Sequence, residues 1–279
     1  MDVTLQLVIR GLVPVSTGSW LWRRGPKELT GNESAEPLFF HHVAKTGGTS
    51  FVEAMRNITP QELQSTQPGS LTVEFAQAVL ARGLRPAQFI YGHVSTGAAL
   101  PLRGRTRMIT LLRDPCEQAI SNYYALLNDY RLPDARAAWR LGFRNFLLCY
   151  PYFTIFQTAS LHVGIEETPL RRTEDLIDRL PVIFDYLDEM HAVGIPKLAP
   201  ALFARLAAER GIHDLRPYPH RTRTRLLPSR RKALQQEYAE LQQHPELRPL
   251  MAAEQALYQK ALERAATCGL MPAHDPCGR

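Results

Sequence analysis

The chain has 279 residues, 45% of them hydrophobic and 22% charged, and 33 Lys and Arg against 27 Asp and Glu give a formal net charge of +6. This is ordinary globular usage, and the 17 Gly and 21 Pro follow no period, which excludes collagen-like, low-complexity and fully disordered chains. The length makes one large domain or two small ones. The modest positive excess favours anionic ligands or acidic partners over an obligatory nucleic-acid role.

At the N-terminus Val3, Leu5, Leu7 and Ile9 alternate with other residues, but Arg10 follows directly and Pro14 interrupts the next apolar stretch. This run is too short to span a bilayer or to serve as a cleaved export signal, so residues 1–36 read as a leader or an edge strand, and the expected location is the cytoplasm. Cys116, Cys149, Cys268 and Cys277 lie far apart, without a CxxC pair or a neighbouring His at metal-ligand spacing. Neither a disulfide framework nor a metal site is expected from them.

Residues 37–279 read as a single α/β domain with a parallel sheet flanked by helices. Leu38 to Val43 forms an apolar, aromatic-rich strand that ends at Lys45-Thr46-Gly47-Gly48-Thr49-Ser50, and Phe51, Val52, Met55 and Ile58 then recur at helical spacing. Ser70 caps a helix carrying Leu71, Phe75, Ala78 and Val79, and Gln88 to Tyr91 is a short strand stopped by Gly92-His93. Met108 to Leu112 is a third strand, running into Arg113-Asp114-Pro115. Asp114 as N-cap, Pro115 at the first helical position and Glu117 completing a capping box predict a helix to about Leu127. From about Thr173 the chain reads as helices over 173–190, 197–210, 229–243 and 246–266.

Three strand–loop–helix units place ligand sites at the carboxyl ends of the strands. A Gly-rich turn that opens a helix offers backbone N–H groups and a positive dipole end to an anion. Lys45 adds a charge there, and Thr46, Thr49 and Ser50 add hydroxyls, so this turn is expected to hold a phosphate. It is not a Walker A loop, because GxxxxGK[ST] needs Lys after the second Gly and Lys45 precedes both glycines. Arg113 at a strand end and Ser121 two turns into the next helix reach one anion only if it lies along the helix flank. Two anion sites at neighbouring strand ends imply a nucleotide carrying phosphates at both ends.

These motifs resemble those of sulfotransferases that use 3′-phosphoadenosine 5′-phosphosulfate (PAPS). Lys45 to Ser50 is similar to their 5′-phosphosulfate loop, and Leu111 to Pro115 through Ser121-Asn122-Tyr123-Tyr124 is similar to their 3′-phosphate motif. Over residues 38–125 the likeness is to carbohydrate enzymes of the heparan sulfate 2-O- and 6-O-sulfotransferase type, in which a Gly-His-Val-like segment between the motifs carries the base. Here that segment is Gly92-His93-Val94. The resemblance implies a P-loop-like fold, PAPS as co-substrate without a metal, His93 as general base and Lys45 stabilising the leaving oxygen. It also implies a strand near Val163 to Glu167 and a late loop closing over the nucleotide, with Arg221, Arg223 or Arg225 touching it. His41 and His42 are expected to be core or supporting residues.

The basic stretch from Arg216 through Arg221, Arg223 and Arg225 to Lys232 is a solvated face, reaches the nucleotide or attracts an acidic acceptor, and no nucleic-acid fold accompanies it. The acceptor class stays open between a sugar hydroxyl and a tyrosine of an acidic peptide. The lack of an anchor segment points to a bacterial member working in the cytoplasm. The competing readings are a nucleotide-binding regulatory protein that performs no transfer and a nucleoside kinase.

Overall fold

The computed structural model describes residues 21–24, 35–59, 61–64, 79–81, 83–93, 96–129, 134–162, 172–219 and 226–271. Its strands are β1 (Leu21–Arg24), β2 (Leu38–His41), β3 (Gln61–Gln64), β4 (Phe89–Gly92), β5 (Arg107–Leu111) and β6 (Ala192–Gly194). Helix α1 (Gly48–Arg56) follows β2, and α2 (Pro115–Asn128), α3 (Ala135–Cys149), α4 (Phe156–Leu161) and α5 (Leu180–Glu189) separate β5 from β6. The chain then closes with α6 (Ala199–Glu209), α7 (Pro228–Leu241) and α8 (Arg248–Thr267).

The central strands β2, β4, β5 and β6 are largely apolar runs because both of their faces are covered. Every residue of β2 and β4 is buried. Phe39, Ile90, Met108 and Val193 pack on one face with Ile183 and Leu187 of α5 and Leu257 and Ala261 of α8. Leu38, Phe40, Phe89, Tyr91, Ile109 and Leu111 pack on the other with Phe51 and Met55 of α1 and Leu202 and Leu206 of α6. A third cluster joins α2, α3, α7 and α8 through Tyr123, Phe143, Phe146, Tyr238 and Met251.

The sheet order is β1-β3-β4-β2-β5-β6. β4, β2, β5 and β6 run parallel, β3 extends the parallel set beside β4, and β1 is an antiparallel edge strand. The expected α/β architecture is therefore present, with β2 between its neighbours and the loops after β2, β4, β5 and β6 leaving one edge. Among the described residues, no helix is long and apolar enough to cross a membrane.

Several expectations need correction. The helix over 173–190 is two elements, a 3₁₀ segment Thr173–Arg179 and then α5, because Pro181 at the start of α5 has no N–H to continue the preceding turns. Strand β6 and the helix α3 were not anticipated: β6 has only three residues, and Gly142 breaks α3 with φ 71°. The helix over 197–210 begins as a 3₁₀ turn Pro196–Leu198 before α6, while α7 and α8 lie within two residues of their expected bounds. An edge strand exists, but it is Leu21–Arg24. Val3 to Ile9, Ser70 with residues 71–78, and the Val163 to Glu167 segment lie outside the described residues, whereas Val79 to Ala81 is helical.

The start of α2 follows the expected cap in one half only. The Asp114 carboxylate accepts the Glu117 N–H at 3.0 Å, but the Glu117 side chain turns to Arg113, Arg231 and Gln235 instead of returning to the cap. Replacing Asp114 by Ala should therefore cost about 1 kcal/mol of stability, and Asp114→Ser much less. Urea melts check this as a lowered midpoint with an unchanged slope.

Candidate functional site

Residues one step beyond β2 and β4 are brought together by the register that pairs His41 with Gly92. The His42 N–H donates to the Gly92 carbonyl at 3.0 Å, and the His42 and His93 rings stack with centroids 4.1 Å apart. Phe40 stacks on the His42 ring at 5.1 Å. His93 Nδ1 lies 2.6 Å from the His42 carbonyl oxygen, which only accepts, so Nδ1 carries the proton and Nε2 is the basic nitrogen of the neutral ring.

The turn after β2 is shaped by backbone that few residues adopt. Lys45 is left-handed at φ 68°, and Gly47, the N-cap of α1, has φ 89° with no side chain capping the helix. The Thr46 hydroxyl donates to the Val43 carbonyl at 2.8 Å and is fully buried, so it braces the turn rather than facing a ligand. Gly48 has no room for a side chain, since a Cβ there would sit 2.0 Å from His42 Nε2. The missing side chain makes room for the His42 ring, and the amides at the start of α1, which lack intrahelical acceptors, are donors suited to an anion.

Arg113 joins this turn to the third strand. Its Nη1 donates to the Lys45 carbonyl at 3.3 Å and its Nη2 to Glu117 Oε2 at 3.2 Å. Arg231 of α7 grips the same carboxylate through Nε at 3.0 Å and through Nη2, and Gln235 donates to it at 3.0 Å. Burial works against the Glu117 carboxylate, but the hydrogen bonds and charge of Arg231 and the charge of Arg113 prevail and hold it below its ordinary value. One acidic side chain thus keeps two guanidinium groups at the site.

The turn, the histidine pair, Arg113, Glu117 and Arg231 meet at one cavity of about 560 Å³, lined among others by Lys45, Gly47, Gly48, Thr49, Ser50, His93, Arg113 and Ser121. That volume falls in the range of roughly 300–1,000 Å³ typical of small-molecule sites. Pro196, from the loop after β6, packs beside Gly47, and Tyr218 and Leu226 add apolar wall. Of the residues expected from the sequence, only Thr46 turns its side chain away, while Arg221, Arg223 and Arg225 lie outside the described residues. Three contributors were misplaced or missed. His42 lines the cavity instead of merely supporting it, Glu117 organises cations instead of completing a cap, and Arg231 holds Glu117 at the cavity wall instead of lying only in a basic run.

His42 and His93 are both held below the ordinary imidazole value. For His42 burial is the largest cause, followed by the charges that His93 and His41 would carry. For His93 burial again leads, opposed by the hydrogen bond to the His42 carbonyl and reinforced by Lys45. The neutral pair therefore stabilises the fold fully above the unfolded-chain value near 6.5, and that contribution disappears as pH falls through the lower folded values. The stack of two neutral rings beside a lysine can accept a proton from a ligand while the turn and Arg113 hold anionic groups.

No family model and no curated protein sequence matches this chain.

Two outcomes are expected. Histidine titration followed by NMR should place His93 below 6.5 in the parent and move it upward in Lys45→Ala, because a cation that disfavours imidazolium is removed. Gly48→Ala should displace the His42 ring, visible as a changed His42 resonance and a weakened His42–His93 ring-current shift.

Proposed function

We propose that the protein is a PAPS-dependent O-sulfotransferase built on a P-loop-like sheet. The observation that carries the reading is the convergence of three separated motifs on one cavity: the Lys45 to Ser50 turn, His93, and Arg113 with Ser121. A cavity with Lys45, Arg113 and Arg231 at its wall, a helix start opened by two glycines, and hydroxyls from Thr49, Ser50 and Ser121 suits a nucleotide with phosphates at both ends. On this reading the turn holds the 5′-phosphosulfate and Arg113 with Ser121 holds the 3′-phosphate.

The chemistry is an in-line displacement at sulfur. The acceptor oxygen forms a bond to sulfur and gives its proton to His93 Nε2, while the bond from sulfur to the bridging oxygen breaks. The products are the sulfated acceptor and 3′-phosphoadenosine 5′-phosphate, with Lys45 meeting the charge that develops on the leaving oxygen. A His93 held neutral by burial and by Lys45 is ready to act as a base at pH 7, and its Nδ1–H bond to the His42 carbonyl fixes the required tautomer. The acceptor is a sugar hydroxyl or a tyrosine, and an acidic one agrees with the cationic wall.

Incubation with PAPS and candidate glycans or tyrosine peptides, read by mass spectrometry for an added sulfuryl group, tests the activity. Lys45→Ala should nearly abolish transfer in a folded protein. His93→Ala should lose roughly 10²–10⁴-fold in turnover with donor affinity kept, and the parent rate should fall at acid pH as the imidazole protonates. The loss should be larger for a sugar hydroxyl than for a phenol, whose pKa is near 10 and whose proton is more easily released. Parental turnover in either variant would contradict the role given to that residue.

A further inference from the structure

Arg113 sits where the sheet ends. The ladder between β5 and β6 makes its last rung when the Leu112 N–H donates to the Gly194 carbonyl at 2.9 Å, which leaves Arg113 without a strand neighbour. Its backbone groups are nevertheless both taken, by a single side chain. Gln157 Oε1 accepts the Arg113 N–H at 2.7 Å, and Gln157 Nε2 donates to the Arg113 carbonyl at 2.8 Å. A primary amide can make this two-point pair because it carries one acceptor and one donor side by side, as a peptide group does.

Gln157 is itself locked. It is fully buried, and its N–H donates to Glu254 Oε1 at 2.8 Å. The other oxygen of Glu254 accepts the Thr158 N–H at 3.0 Å and the Thr158 hydroxyl at 2.7 Å. Glu254 is 1% exposed and belongs to α8, which packs against the sheet. A carboxyl buried this deeply costs stability unless donors surround it, and burial pushes its pKa up despite the donors of Thr158 and Gln157 around it. The path from Glu254 through Gln157 ends on the backbone of the residue that meets the cavity.

We propose that Gln157 is a positioning residue for Arg113, fixing the backbone from which the guanidinium reaches the 3′-phosphate and so setting how strongly that phosphate is recognised; this rests on the nucleotide reading above. Without the amide pair, the Arg113 peptide groups turn to water or to other partners, and the guanidinium loses the direction that its bonds to the Lys45 carbonyl and Glu117 require. Phosphate recognition through a charge-assisted pair depends on that direction.

The test is calorimetric titration of the full chain with 3′-phosphoadenosine 5′-phosphate and with adenosine 5′-monophosphate, for the parent, Gln157→Leu, Arg113→Ala and the double variant. Gln157→Leu should weaken the bisphosphate by about tenfold or more and leave the monophosphate unchanged. The double variant should bind the bisphosphate no more weakly than Arg113→Ala alone, because the two act as one unit. If Gln157→Leu fails to fold, Gln157→Met keeps the length and bulk of the side chain but offers neither the N–H donor nor the carbonyl acceptor that pair with Arg113, and the same selective loss is expected.

A parent that discriminates the two nucleotides while the folded Gln157 variant discriminates equally well would overturn the positioning role alone. Equal losses for both nucleotides would likewise overturn it, by showing a general structural role. A parent that binds both nucleotides equally would overturn the 3′-phosphate assignment itself, and the proposal with it.

Discussion

The parallel ladders on either side of β2 fix everything at the cavity. His41 is paired with Gly92 on one side and with Thr110 on the other, and the Thr110 hydroxyl donates to the His41 carbonyl at 2.8 Å. With those three residues level, the next residues of each strand emerge level too. The Lys45 turn, His93 and Arg113 are thereby set at the rim of one cavity although they lie far apart in sequence. A slip of one residue in either ladder would send alternate side chains to the wrong face and separate the histidine stack from the Gly-rich turn.

The site joins groups whose isolated placement would be unfavourable. Lys45 holds a left-handed backbone, two imidazoles are buried near a cation, and a carboxylate lies in an otherwise cationic wall. Each finds its partner across the cavity or beneath it. The His42 carbonyl orients His93, the Lys45 carbonyl receives Arg113, and Glu117 holds Arg113 and Arg231 together. Local strain and depressed imidazole basicity concentrated in one concave place are features of working sites rather than of cores built for stability.

What could be read from the sequence was local. The Gly47-Gly48 turn, the Asp114-Pro115 helix start and the apolar strands Leu38 to His41 and Met108 to Leu111 carry strong short-range signals, and each lies within a few residues of its expected place. What could not be read depends on distant partners. Nothing near Glu117 announces that Arg231, more than a hundred residues later, will take its carboxylate away from the helix cap. Gln157 looks like any polar residue on a short helix until Arg113 and Glu254 are seen around it. His42 differs from His41 only in which side of the sheet it faces: His41 is buried against the Tyr186 hydroxyl at 3.0 Å, whereas His42 reaches the cavity. The three-residue strand β6 was missed because its pairing with β5, rather than its own composition, makes it a strand.

The most direct measurement of the central claim is a crystal structure of the protein grown with saturating 3′-phosphoadenosine 5′-phosphate. The 5′-phosphate should lie against the amides that open α1 and the Lys45 side chain, and the 3′-phosphate within hydrogen-bond distance of Arg113 and Ser121. A nucleotide bound away from this cavity, or a cavity left without nucleotide at saturation, would contradict it.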